Sequence, residues 1–277
     1  MKTVTLPSGE KVPALGQGTW NMGDTHATRA EEIAALQLGM DLGLTLIDTA
    51  EMYGEGKSEE LVGEAIAGRR DEAFLVSKVY PHNASRKGAI VACERSLKRL
   101  GTDRLDLYLL HWRGTIPFSE TMEAFAALQS AGKIRHYGVS NLDLNDMQEL
   151  WKTSGGKGVK TNQLLHNLTR RGIELDLLPW MQERKIPVMA YSPVEQARLL
   201  KQRGLVDFAK RHGMTPAQAA LAWLLARDDV IAIPKAGDRK HVQDNAGALE
   251  IRLSAGQLLE LDKIFPPPTA PVPLAML

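Results

Sequence analysis

The stretch Leu44-Thr45-Leu46-Ile47-Asp48-Thr49-Ala50-Glu51-Met52-Tyr53-Gly54 decides how this chain is read. Its first half is a short apolar run of the kind that forms a strand buried on both faces, and the run ends on an acid, Asp48. The same arrangement returns along the chain. Phe-Leu-Val-Ser-Lys ends on Lys78, Leu-Asp-Leu-Tyr-Leu-Leu-His on His111, and Arg-His-Tyr-Gly-Val-Ser-Asn on Ser140 and Asn141. Pro-Val-Met-Ala-Tyr ends on Tyr191, Lys235 follows Val-Ile-Ala-Ile-Pro, and Gln163 lies within a further run. One polar residue at a strand end means little, but seven at corresponding places converge on one rim.

Working outward, strands are expected at 14–18, 44–48, 74–78, 105–111, 134–139, 161–165, 187–191 and 230–233. Amphipathic helical patterns separate them. Several open on capping signals: Ser58 before Glu59 and Glu60, Ser119 before Glu120, and Thr215 before Pro216. Residues 3–13, centred on Ser8-Gly9, read as a hairpin ahead of the repeat. Eight βα units suit an α/β chain folded as a (β/α)8 TIM barrel, whereas a doubly wound sheet more usually stops at five or six strands. The expected organisation is one barrel domain over 1–277, with a hairpin at 1–13 and a short proline-rich tail at 265–277.

Composition narrows the function. The chain has 277 residues, 44% of them hydrophobic, and 34 Lys plus Arg balance 33 Asp plus Glu. A net charge of +1 gives no field for nucleic acid or an anionic membrane surface. No window approaches the roughly 18 consecutive apolar residues of a membrane span, and the amino terminus has no apolar leader core. A cytoplasmic, monomeric protein acting on a small-molecule carbonyl is expected. The single cysteine, Cys93, cannot form an internal disulfide and reads as an inert buried thiol. Neither an H-x-H nor an HExxH pattern occurs among the seven histidines, so no metal site is expected.

Two glycine-rich segments, Gly-Gln-Gly-Thr-Trp-Asn at 16–21 and Gly-Glu-Gly-Lys-Ser-Glu at 54–59, lack the third glycine of a Rossmann fingerprint. The second also fails as a phosphate-binding P-loop, because Glu51 stands where its first glycine should be.

Taken together, LIDTAEMYG, the Ser77-Lys78 pair, LLHW around His111, GVSN ending at Asn141, YSP at Tyr191 and IPK at Lys235 resemble the aldo-keto reductases, in that family's order. The likeness runs over essentially the whole chain. It is most similar to the small bacterial reductases of 2-oxoaldehydes such as methylglyoxal. The resemblance implies a catalytic tetrad of Asp48, Tyr53, Lys78 and His111. Hydride reduction of a carbonyl creates an alkoxide that needs a proton, which Tyr53 would supply. A free tyrosine is a weak acid, with a pKa near ~10, and Lys78, kept ionised by Asp48, would lower that value. His111 would orient the carbonyl through a ring N–H.

The resemblance also implies NADPH as cofactor, with NADH accepted less well. Tyr191 would stack on the nicotinamide; Ser140, Asn141 and Gln163 would bond its carboxamide; Thr19, Ser192 and Pro193 would line the same stretch. At the adenosine end Lys235, Asp244 and Asn245 match the family, but Ala236 replaces a hydroxyl residue and His241 stands at the family's arginine position. Arg239 is the expected substitute for that arginine. Trp20, Tyr80 and Trp112, with His111, would wall the substrate. The short tail implies an open pocket tolerant of small carbonyls. The competing reading is a nonenzymatic dinucleotide-binding or redox-sensing barrel, which the fold alone would allow and the tetrad argues against.

Overall fold

The computed structural model describes residues 1–277. The hairpin is formed by β1 (Thr3–Thr5) and β2 (Lys11–Pro13), antiparallel, with Val4 opposite Val12 and both buried. Eight parallel strands follow: β3 (Gln17–Gly18), β4 (Leu46–Asp48), β5 (Phe74–Val79), β6 (Leu105–Leu110), β7 (Ile134–Ser140), β8 (Asn162–Leu165), β9 (Val188–Tyr191) and β10 (Val230–Ile233). They pair in strict chain order from β3 to β10. The ring closes through single bridges, Leu15 to Ala232 and Gly18 to Lys235. The expected (β/α)8 barrel is the observed one.

The helices are α1 (His26–Asp41), α2 (Lys57–Ala65), α3 (Gly88–Leu100), α4 (Phe118–Ser130), α5 (Leu144–Lys152), α6 (Leu177–Glu183), α7 (Arg203–Arg211), α8 (Pro216–Leu225), α9 (Arg239–Gly247) and α10 (Ala255–Ile264). None is long and apolar enough to cross a membrane. Every residue of β5 and β6 is buried, which is why those segments read as continuous apolar runs rather than alternating ones. Of the polar residues among them, Asp106 on β6 is neutralised where it stands: Arg70 and Arg135 each donate to it at 2.8 Å, as does the Leu75 amide.

Thr215 caps α8 as expected, in a reciprocal capping box with Gln218 and with Pro216 in the first turn. The other two capping expectations are corrected. Helix α2 starts from Gly56 and α4 from Pro117, so Ser58 and Ser119 lie inside their helices. Ser58 is buried and donates to the Thr19 hydroxyl at 2.8 Å and the Thr19 carbonyl at 3.0 Å. The hairpin attaches at the amino ends of the strands. Glu10 receives Arg135 and His136 at the start of β7, and Lys2 donates to the Leu225 and Arg227 carbonyls ahead of β10. The opposite rim is left clear for chemistry.

Candidate active site

Lys78, next to last in β5, has a side chain 0% exposed. A buried ammonium needs acceptors for all three of its N–H bonds. It has them. Lys78 Nζ donates to Asp48 Oδ2 at 2.8 Å, to the Thr49 carbonyl at 2.7 Å and to the Tyr53 hydroxyl at 3.1 Å. Tyr53 is brought there by a turn at the end of β4, in which Gly54, Glu55 and Gly56 all take positive φ before α2 begins. The two glycines of Gly54-Glu55-Gly56 therefore serve the turn that aims Tyr53. Because a lysine can only donate, the Tyr53 oxygen accepts from it, and the phenolic proton points elsewhere.

The electrostatics correct one expectation. Burial pushes the Tyr53 phenol above its ordinary value, and the neighbouring Lys78 charge offsets only part of that rise. Burial likewise raises the Asp48 carboxyl, against the opposing effect of Lys78. Burial works to lower Lys78, but the Asp48 charge and the Tyr53 oxygen outweigh it and hold the ammonium above its usual value. Tyr53 thus keeps its proton at neutral pH, with the Lys78 charge opposing part of the rise.

His111 follows β6, with its ring edge-on to Tyr53 at 5.9 Å between centroids. Burial, aided by the Lys78 charge, lowers its pKa to about 2, so the imidazole is neutral. Its Nδ1 is buried without a hydrogen-bond partner. Stability should follow from this. The folded state refuses a proton that an unfolded histidine binds below pH ~6.5, so acid favours unfolding through that window. The advantage of wild type over His111→Asn should shrink by about 2 kcal/mol between pH 7 and pH 5. Urea midpoints at the two pH values would measure it, and a pH-independent difference would contradict the neutral imidazole.

Around the rim, Tyr191 donates to Asn141 Oδ1 at 2.9 Å, and Asn141 Nδ2 donates to the Ser140 hydroxyl and the His111 carbonyl, both at 3.1 Å. Three of the expected cofactor residues also brace the barrel. Gln163 donates to Asp48 Oδ1 at 2.8 Å, beneath the rim. The Ser140 hydroxyl donates to the Gln163 carbonyl, and the fully buried Thr19 hydroxyl donates to the Asp48 carbonyl. After Tyr191 the chain passes Ser192 and the buried Pro193 into an unusual run: Glu195, Gln196 and Ala197 all have positive φ. Such geometry costs about 1–2 kcal/mol per non-glycine residue. Glu195 holds it in place, accepting from Asn167 at 2.8 Å and from Arg170 at 2.8 and 3.0 Å, while Asn167 also grips the Ser192 carbonyl. Sequence reading missed this latch.

The tail runs beside the mouth. Val272–Ala275 wall a cleft of about 450 Å³ beside the rim, facing Leu144, Leu165 and Ile173. Among the expected substrate walls, Trp112 packs against His111 at 4.9 Å and edge-on to Tyr80 at 5.8 Å, and Trp20 stands 44% exposed on the rim. Glu51, the residue that breaks the P-loop pattern, fixes this wall by accepting from the Tyr80 amide at 2.8 Å and from Asn83 at 3.0 Å.

At the far end, Lys235 is exposed after β10, and Asn245 is buried on α9. Arg239 is not free, because both oxygens of Glu31 hold its guanidinium, at 3.1 and 3.2 Å. His241 is paired with Asp238, and the Asp244 carboxylate accepts from Thr215 at the start of α8 rather than facing outward. Cys93 is buried, and burial pushes its thiol up to about 12, so it is no nucleophile.

Residues 14–265 match the model of the aldo/keto reductase family. The chain belongs to that family. This aldo/keto reductase is 52% identical to methylglyoxal reductase YeaE of Escherichia coli, across 99% of both chains. It is 32% identical to glyoxal reductase of Bacillus subtilis, over 95% of this chain and 92% of that one. Among solved structures it superposes on an aldo/keto reductase of Klebsiella pneumoniae, in complex with NADP and acetate, with a TM-score of 0.97. That pair shares 52% identity over 100% of this chain and 99% of the other. The barrel is thus set in a family of oxidoreductases.

Proposed function

We propose that this aldo/keto reductase uses NADPH to reduce small aldehydes and ketones, 2-oxoaldehydes of the methylglyoxal kind among them, with Tyr53 as the general acid. The observation that carries the reading is the saturation of Lys78 by Asp48, Thr49 and Tyr53, which leaves one phenolic proton available in a barrel mouth. The rim suits the cofactor. Tyr191 offers an aromatic face, Asn141 an amide, and Lys235 an exposed cation some distance away at the end of β10. Bound there, the dinucleotide supplies the hydride. The protein does the rest.

Neutral His111 presents a ring N–H to the carbonyl oxygen, and Trp112 and Tyr80 exclude water from that oxygen. As negative charge grows on the oxygen, the Tyr53 proton moves to it, and the forming phenolate is stabilised by the Lys78 N–H already in place. Lys78 in turn stays charged because Asp48, held by Gln163, faces it. The direct test is the fall in NADPH absorbance with methylglyoxal, aromatic aldehydes, sugars and keto acids. Turnover of at least one carbonyl is the expected result, and none with any class would defeat the reading.

Cofactor choice gives a second measurement. Lys235→Ala should weaken NADPH by roughly 10-fold or more, the worth of one charge-assisted bond, and leave NADH nearly unchanged. The wild-type preference should shrink as salt rises. A loss shared equally by both cofactors would show that Lys235 does not recognise the 2′-phosphate.

A further inference from the structure

The loop from β10 into α9 carries a cluster of cations, Lys235, Arg239, Lys240 and His241, yet it is not simply a basic patch. Two carboxylates are built into it. Asp238 caps α9 through the His241 amide at 2.9 Å and also holds the His241 ring. Glu31 comes from elsewhere. It lies on α1, 208 residues away in the chain, and takes the Arg239 guanidinium with both oxygens and the Arg239 backbone N–H at 3.3 Å. The Lys235 ammonium turns back over Gly237 toward this same corner, where the neighbouring Glu32 side chain also lies. Glu32 itself is occupied, because its carboxylate accepts from the Gly23 amide at 2.9 Å.

A phosphate that seeks Arg239 must therefore either displace Glu31 or sit beside its negative charge. A ribose hydroxyl meets no such penalty. It can donate to a carboxylate, which is the chemistry by which acidic side chains favour an unphosphorylated ribose. We infer that Glu31 is a cofactor-discriminating residue, an acidic competitor for Arg239 that weakens capture of the 2′-phosphate and leaves NADH unpenalised. The inference rests on the proposal that this loop takes the adenosine end of the cofactor. It makes the dinucleotide preference a balance between Lys235 and Arg239 on one side and Glu31 on the other.

Both partners are solvent-exposed, with Glu31 43% and Arg239 60% accessible, so water and salt screen the competition. The effect should be moderate. Dissociation constants for NADPH, NADH and adenosine 2′,5′-bisphosphate should be measured by calorimetry in wild type, Glu31→Gln, Arg239→Ala and the double variant. Glu31→Gln keeps the side chain's shape and removes its charge. It should tighten NADPH and the bisphosphate roughly 2- to 5-fold at low salt, with NADH unchanged or slightly weaker. In the Arg239→Ala background the gain should largely vanish, because the competed partner is gone.

Equal tightening of NADPH and NADH would overturn the inference, as would an undiminished gain without Arg239 or no change in NADPH. If wild type bound neither dinucleotide, the functional proposal itself would fail, which is a different outcome from a silent Glu31→Gln in a protein that binds both.

Discussion

Replacing Tyr53 with phenylalanine should lower kcat by ~10²–10⁴-fold while the Kd for NADPH stays within about twofold of wild type. The phenyl ring is retained, so the packing against His111 and the Lys78 ammonium over the ring, 4.7 Å from its centroid, should survive. What disappears is the one hydroxyl whose oxygen accepts from Lys78 and whose proton is free to leave. Steady-state rates and fluorescence titration of the cofactor separate the two effects. A variant that keeps more than about a tenth of wild-type turnover would show that another group donates the proton.

Lys78→Met is expected to be as damaging, but its rate loss must be distinguished from a loss of fold. Removing one member of a buried ion pair typically costs 3–5 kcal/mol, about what a marginal domain can lose. Asp48 would be left buried, with only Gln163 donating to it. The Lys78→Met, Asp48→Asn double variant removes both charges and should recover much of the melting temperature. It should not recover turnover, because the Tyr53 phenol, already pushed up by burial, would have no ammonium to stabilise its conjugate base. The expected result is a folded protein at least ~100-fold slower than wild type. Wild-type turnover in that folded double variant would defeat the role given to Lys78.

The strand ends were legible because a strand buried on both faces must be apolar until it reaches the mouth, so Asp48, Lys78 and His111 stand out against their own segments. Helix starts were less so. Ser58 looks like a cap only until Thr19, 39 residues earlier, is seen to claim its hydroxyl. The same holds for Gln163, an amide inside an apolar run whose partner, Asp48, is 115 residues away. Glu195 and Glu31 were invisible for a further reason. Carboxylates in polar segments read as solvated surface, and nothing local to either reveals the arginine that meets it. Thr215 was readable because both halves of its cap lie within one turn of sequence.

The ring of strands is not equally knitted all the way round. Strands β6 and β7 are paired at five positions, from Leu105 with Ile134 to Leu110 with Val139. Where the first strand meets the last, the ladder shrinks to Gly16 on Ala232, Ala232 on Ala14 and Gly18 on Pro234. A side chain at position 18 could not be admitted, since a Cβ there would lie 2.8 Å from the Ile233 carbonyl oxygen. A sub-global opening along this line has few backbone bonds to break, and its upper end carries Lys235. Any anion gripped there adds a tether across a sparsely bonded joint of the cylinder, so occupancy by ligand and resistance of residues 14–18 and 230–235 to amide exchange are two readings of one equilibrium.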